Sequence, residues 1–245
     1  MGLEYARQLA ARGYDLVLVS NQETQLAEAA ASLSGEGVRV ETAFMDLAAP
    51  DAAASLMAWL DARGILPDVF IQNAGMFFFK ELTPSLLPKA DAMLRLHVSF
   101  ITDSTVLIGE RMKERGSGRI LIVSSMTARI PAPGIAVYSA SKAYLHSFGE
   151  SMYYEMKPYG VTVTTVCPAA VDTPLYGLSD KMRRIGRRLG YIHSPAWLVR
   201  RALRALHRGR CRISPSLLNG LVPFLVSILP APLELRIWKR LRGRL

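Results

Sequence analysis

Apolar positions along the chain fall into two alternating patterns. Short runs rich in β-branched residues alternate with longer stretches in which apolar residues recur at three- and four-residue spacing, the signatures of buried strands and amphipathic helices. "YARQLAARG" has helical spacing and stops at Gly13, and "YDLVLVS" reads as a buried strand. The alternation continues with a helix in "ETQLAEAAASL", a strand in "VRVETAFM" and an Ala-rich helix in "DAAASLMAWLDARG" that ends at Gly64. "PDVFIQNAG" is a strand running into a glycine turn, and a long helix is predicted over 84–115. A buried strand in "GRILIVSS", a helix in "AVYSASKAYLHSFGESMYYEM" and a strand in "GVTVTTVCP", stopped by Pro168, complete the pass. Strands that alternate with helices and lack a polar face predict an α/β fold with a doubly wound, mostly parallel sheet. No internal repeat or low-complexity linker interrupts residues 1–215.

The pattern changes near residue 215. "LLNGLVPFLVSIL" at 217–229 is almost wholly apolar, with Asn219 and Pro223 inside it. It is too short to span a bilayer, and the proline weakens a continuous helix. "PAPLELRIWKRLRGRL" follows, with Trp238 among five basic residues. The chain therefore divides into a domain over 1–214 and an apolar, then basic, helical tail over 215–245.

Charge sharpens that division. The 245 residues are 50% hydrophobic and 20% charged, which argues against disorder, and the net charge is +10. Residues 181–245 carry +15, with Glu234 as their one acid, whereas residues 1–180 carry −5. Two readings of the tail follow. An apolar segment beside Arg, Lys and Trp suits monotopic attachment of a cytoplasmic protein to an anionic membrane surface. Alternatively, the tail closes a substrate pocket or a dimer interface and leaves its basic end in solvent. A second basic block, "KMRRIGRRLG" at 181–190, is a solvated helix face or a clamp for an anionic headgroup. No recognition motif accompanies these charges, so nucleic acid is not expected as a partner. Cys167 and Cys211 have neither metal-ligand nor disulfide-framework spacing, so no metal site and a reduced intracellular setting are expected. No secretory signal pattern opens the chain.

Candidate chemistry concentrates in "SSMTARIPAPGIAVYSASK". Tyr138 and Lys142 lie one helical turn apart and share a face. An ammonium beside a phenol favours the phenolate and brings proton transfer toward neutral pH. Ser125, at the end of an apolar strand, is placed to hold a substrate oxygen.

These residues carry a resemblance. Ser125 at a strand end, "YSASK" at 138–142, "QNAG" at 72–75 and "MDL" at 45–47, in that order and spacing, resemble the short-chain dehydrogenases/reductases over residues 1 to about 215. The resemblance implies a Rossmann-like sheet and binding of NAD or NADP. It gives Tyr138 the role of general acid in reduction. Lys142 lowers the phenol pKa and bonds the nicotinamide ribose, and Ser125 positions the carbonyl. Asp46 and Leu47 then flank the adenine, and Asn73, Ala74 and Gly75 line the cofactor cleft. Pro168 and Thr173 of "PAAVDT" match the stretch near the nicotinamide amide, with Ala169 where the family has glycine. His97, in "LRLHVSF", stands where the family places an Asn that supports a relay water. It either bridges that water, titrating near its ordinary pKa of about 6.5, or is a packed helix histidine. Ser20 and Asn21 stand at the ribose position, and the lack of a repelling acid there favours NADP over NAD.

The resemblance also bears on the first residues. "MGLEYA" matches the end of the family's glycine-rich loop, with Gly2 as its last glycine, and the strand that precedes the loop is not represented. In the family that strand is central. Its omission implies exposed sheet edges and weak dinucleotide binding, and a working protein that starts upstream of Met1. The function implied is oxidation and reduction between a ketone and a secondary alcohol. An apolar lid and tail, including Met182, Leu189, Trp197 and Phe224, favour a hydrophobic substrate such as a 3-oxo acyl chain, a keto-sphingoid base or a steroid, with a short-chain aldehyde or sugar ketone as the alternative. A homodimer or tetramer built on the long helices is the family habit. The competing expectation is a non-catalytic dinucleotide-binding or membrane-scaffold protein.

Overall fold

The alternation is realised as a layered α/β fold. The computed structural model describes residues 1–173, 180–188, 192–216 and 218–242. In chain order the elements are α1 (Gly2–Ala10), β1 (Leu16–Ser20), α2 (Glu23–Ala31), β2 (Val40–Phe44), α3 (Ala52–Asp61) and β3 (Val69–Gln72). Then come α4 (Leu87–Leu94), α5 (Phe100–Arg115), β4 (Gly118–Val123), α6 (Ala136–Met156) and β5 (Val161–Val166). The remainder comprises β6 (Ala170–Val171), α7 (Asp180–Arg188), β7 (Ile192–His193), α8 (Pro195–His207), β8 (Arg212–Ile213), α9 (Leu218–Ser227) and α10 (Ala231–Arg242).

Strand β4 shows why its run carries no polar alternation. Ile120 and Ile122 point into one core with Leu56, Ile108, Leu145 and Met156 from α3, α5 and α6. Leu121 and Val123 point the other way, into a core with Leu9, Leu198 and Leu203 from α1 and α8. Both faces are covered, so every position must be apolar.

The strands form a parallel β3–β4–β5–β8 sheet, a separate parallel β1–β2 pair and a short parallel β6–β7 pair, and the first two are related through their cores. Val17 and Val19 of β1 share one core with Phe70 of β3, while Leu16 and Leu18 share the other with Val69 and Ile71. The two sheets therefore belong to one layer. Among the described residues no strand pairs with the second edge of β1 or of β3.

Two expectations change. The helix predicted over 84–115 is α4 and α5 joined by a π turn, Arg95–Ser99, with His97 at its centre and a 3₁₀ turn, Pro84–Leu86, before it. A π turn widens the helix by one residue and re-aims the side chain it carries. The apolar run at 217–229 is also more helical than its proline suggests: α9 continues through Pro223. The chain bends by 109° between Gly220–Val226 and Ala231–Arg240, and no single described helix is long and apolar enough to cross a membrane. The tail folds back. Helix α9 packs against the 3₁₀ turn Met126–Arg129. Trp238 of α10 lies so near Gly134 that a Cβ there would sit 3.2 Å from its ring and 2.8 Å from Phe79.

Candidate active site

The expected site residues gather where the parallel strands end, at their carboxyl edge, where open α/β sheets bind ligands. Beyond β4 the backbone is pinned on two sides. Ser124 N–H donates to Val166 O at 2.9 Å, and Met126 N–H to Pro168 O at 2.8 Å, both toward β5 and its exit. The Ser124 hydroxyl donates to Lys142 O at 2.7 Å, tying the strand end to α6. Helix α6 lies close to the sheet because Gly149 has no side chain; a Cβ there would come within 2.1 Å of Thr165 Oγ1.

Helix α6 thereby delivers Tyr138 and Lys142 to one place, both buried. Lys142 Nζ donates to Val123 O at 2.9 Å and lies 5.7 Å from the centre of the Tyr138 ring. Burial pulls the Lys142 pKa down to about 8. No carboxylate pairs with it among the described residues. Phe77 packs edge-on against the Tyr138 ring, with centroids 5.0 Å apart. Ser125 Oγ accepts from Thr127 N at 3.2 Å and from Thr127 Oγ1 at 3.0 Å. A hydroxyl has two lone pairs and one proton. With both lone pairs engaged, Ser125 keeps its proton to donate, although it is not among the residues that line the small cavity beside Tyr138 and Lys142. Cys167, next to Pro168, is buried, and burial pushes its thiol up to about 11, so it is no nucleophile at neutral pH.

Of the two readings of His97, the packed helix histidine fits the geometry. It is 0% exposed and reaches the site, with its ring 5.9 Å from that of Tyr138. Both nitrogens, however, have protein partners. Met76 N–H donates to Nε2 at 3.1 Å, so the ring proton sits on Nδ1 and is donated to Ser141 Oγ at 2.9 Å. The Ser141 hydroxyl passes on to Tyr138 O at 2.8 Å. Burial first, and then the Lys142 charge, pull the His97 pKa down to about 2, not the expected value near 6.5. His97 thus stays neutral and holds the 75–76 turn against α6; it is a positioning residue without a nitrogen left for a relay water. The unfolded chain takes up this proton below pH 6.5 and the folded chain only near 2, so the histidine's contribution to stability is complete above pH 6.5 and is lost as pH falls toward 2. His97→Asn should lower stability at neutral pH by about 1–3 kcal/mol, by stranding Met76 N–H and Ser141. It should also flatten the acid limb of the melting-temperature profile. An unchanged acid limb would contradict this placement.

Of the cofactor residues, Asn73, Gly75, Tyr138, Lys142, Pro168 and Thr173 line one small cavity of about 50 Å³. Met1, Met76, Ser124 and Val171 also line it, and none of these four was expected from the sequence. Gly2 touches the same turn: a Cβ there would lie 3.2 Å from Asn73 Nδ2. Ala74 sits between two cavity residues. Ser20, Asn21, Asp46 and Leu47 lie apart, at and beyond the ends of β1 and β2 on the same edge of the layer. Ser20 Oγ accepts from Gln22 N–H at 3.1 Å, and Asp46 Oδ1 from Ala48 N–H at 3.0 Å.

The donor set fits a dinucleotide. Asn73 Oδ1 is buried without a partner, an acceptor ready for a donor group. The Lys142 ammonium uses one of three N–H groups on Val123, leaving two for ribose hydroxyls.

The apolar lid residues fare unequally. Trp197 stacks on His193, with centroids 4.3 Å apart, in α8. Phe224 is 61% exposed, on the side of α9 away from the half-buried or buried Val222, Pro223 and Val226. The Met182 side chain and Leu189 lie outside the described residues. The basic block becomes α7, anchored where Arg183 Nε donates to Asp172 Oδ1 at 2.5 Å, beside Thr173.

The model of the family described as short chain dehydrogenase matches residues 1–184. The chain is 31% identical over 181 residues to a very-long-chain 3-oxoacyl-CoA reductase of Rattus norvegicus, covering 71% of this chain and 57% of that protein. It is 30% identical over 214 residues to the human inactive hydroxysteroid dehydrogenase-like protein 1, covering 81% of this chain and 58% of that one. The chain thus spans less than two thirds of the length of these curated relatives. Among solved structures, a short-chain dehydrogenase from Sphingobium yanoikuyae in complex with NADPH superposes with a TM-score of 0.77 at 28% identity, covering 94% of this chain and 93% of that one.

Proposed function

Since this chain belongs to the short-chain dehydrogenases, we propose that it is an NAD(P)-dependent oxidoreductase interconverting a ketone and a secondary alcohol. One observation carries the reading: Lys142 is a fully buried cation without a carboxylate, held on a strand-end carbonyl beside Tyr138. Burying an unpaired charge destabilises a fold, so its retention calls for a chemical reason.

A nicotinamide cofactor supplies the hydride. In the direction of reduction, Ser125 O–H donates a hydrogen bond to the substrate carbonyl oxygen. Tyr138 hands its phenolic proton to the same oxygen as negative charge develops there. The Lys142 ammonium stabilises the phenolate left behind. Asn73, Gly75, Pro168 and Thr173 would hold the cofactor near the nicotinamide end, and Gly2 would lie at its phosphates. Ser20, Asn21, Asp46 and Leu47 take its adenosine end. NADP is the preferred cofactor in this reading, because no acid stands at the end of β1 and the Sphingobium relative was solved with NADPH.

The substrate is a bulky apolar ketone of the 3-oxo acyl, keto-sphingoid or steroid type. Support comes from the aromatic groups at the entrance: Phe77 against Tyr138, and Phe79 and Trp238 against Gly134. The name of the rat relative points the same way. Two cysteines that form no disulfide and the basic tail fit a cytoplasmic protein peripheral to a membrane, and self-association on α5 and α6 accompanies this reading.

The test is loss of NADPH absorbance with a panel of ketones. An apolar long-chain or steroid ketone should give kcat/KM about tenfold or more above a sugar ketone, since each methylene buried in the site contributes about 0.8 kcal/mol. No turnover of any ketone with either cofactor, with cofactor binding intact, would favour a non-catalytic binding or scaffold protein. The likeness to the human protein named inactive favours that second reading.

A further inference from the structure

Helix α9 has two apolar faces. Val222, Pro223 and Val226 turn inward, toward the packing of α9 on Met126–Arg129. Leu221, Phe224, Leu225 and Ile228 recur at i, i+3, i+4 and i+7 on the opposite side and are 47–61% exposed. A helix apolar all round requires cover on both sides. Helix α10 follows after the bend, with Leu233, Leu235 and Ile237 41–52% exposed and Arg236, Lys239 and Arg240 exposed among them. Exposed apolar groups interspersed with cations mark an interaction site.

Charge selects the occupant. Residues 181–245 carry +15. Two such tails repel one another, so a second copy is a poor cover, whereas an anionic lipid surface attracts the basic groups at about 1 kcal/mol each. We propose that the outward stripe of α9 and the basic flank of α10 seat the protein on an anionic bilayer. The position of the tail adds a consequence that rests on the function proposed above. The inward face of α9 covers the turn that follows Ser125, and Trp238 abuts Gly134, four residues before Tyr138. The seated face is therefore the mouth of the catalytic site, and an apolar ketone enters it from the lipid. The two readings of the tail are both satisfied: one face closes the site and the other meets the membrane.

The test is co-sedimentation of the full chain with vesicles of phosphatidylcholine alone or mixed equally with phosphatidylglycerol. Wild type should pellet with the mixed vesicles, fail to pellet with the neutral ones, and be released by salt. Leu221→Asp/Leu225→Asp and, separately, Arg236→Gln/Lys239→Gln/Arg240→Gln should each weaken pelleting about tenfold or more. Both variants alter exposed positions, so melting temperatures should stay near wild type. Reduction of a small water-soluble ketone should be unchanged in the variants, while reduction of a vesicle-dissolved ketone falls. Equal pelleting of wild type and both variants, no pelleting of wild type, or a stripe variant that only converts a dimer to a monomer in light scattering would each overturn the proposal. Pelleting without turnover of any ketone would leave the membrane seat standing and remove the proposed activity.

Discussion

Tyr138→Phe is expected to lower carbonyl turnover by about two to four orders of magnitude and to leave the fold nearly untouched. The ring packs edge-on against Phe77 and near His97, and phenylalanine keeps those contacts while removing the acidic proton. The developing alkoxide then has no donor of matched acidity within the buried site. Melting temperature should move by the equivalent of about 1 kcal/mol or less, and NADPH affinity by less than about twofold. Retained turnover would mean that another group carries the proton.

Lys142→Met should separate activity from stability in the opposite sense. Lys142 is depressed from its ordinary 10.5 to about 8, so its charged form costs the fold roughly 3 kcal/mol at neutral pH. The bond to Val123 O offsets about 1 kcal/mol of this. Methionine fills similar volume without the charge, so the variant should lose about two orders of magnitude or more in turnover and yet melt higher at pH 7. The sign fixes the pH profile too. The unfolded chain binds the additional proton between about 8 and 10.5, so wild-type stability rises across that window and falls back as pH drops to 8. Lys142→Met should lack this rise. Wild-type reduction should decline above about pH 8, as the ammonium that stabilises the phenolate is lost. A variant that melts lower and still turns over would contradict both assignments.

Much of the site was legible because its parts are local. "YSASK" fixes Tyr138 and Lys142 on one helix face by spacing alone, and Pro168 marks a strand end by its missing N–H. The parallel layer was legible in runs such as "GRILIVSS", whose lack of polar alternation demands cover on both faces. The rest depended on encounters between distant segments. The state of His97 is set by Met76 N–H and Ser141 and by a π turn, none of which a helical spacing pattern encodes. The ordinary titration value belonged to the water-bridging alternative, whereas burial lowers the pKa of the packed histidine. Phe224 is apolar in an apolar run, and only the packing of α9 decides which of its neighbours turn inward. The unforeseen cavity residues Met76 and Ser124 were signalled by adjacency, since each follows an expected site turn or precedes Ser125.

The most direct test of the central claim is deuteride transfer. NADPH carrying deuterium at the transferable position of its nicotinamide would be incubated with a bulky apolar ketone and the full chain, and the alcohol analysed by mass spectrometry. The account predicts one deuterium on the carbinol carbon with wild type, and essentially none with Tyr138→Phe or Lys142→Met. Unlabelled alcohol, equal labelling by wild type and both variants, or no alcohol from a chain that binds NADPH would contradict it.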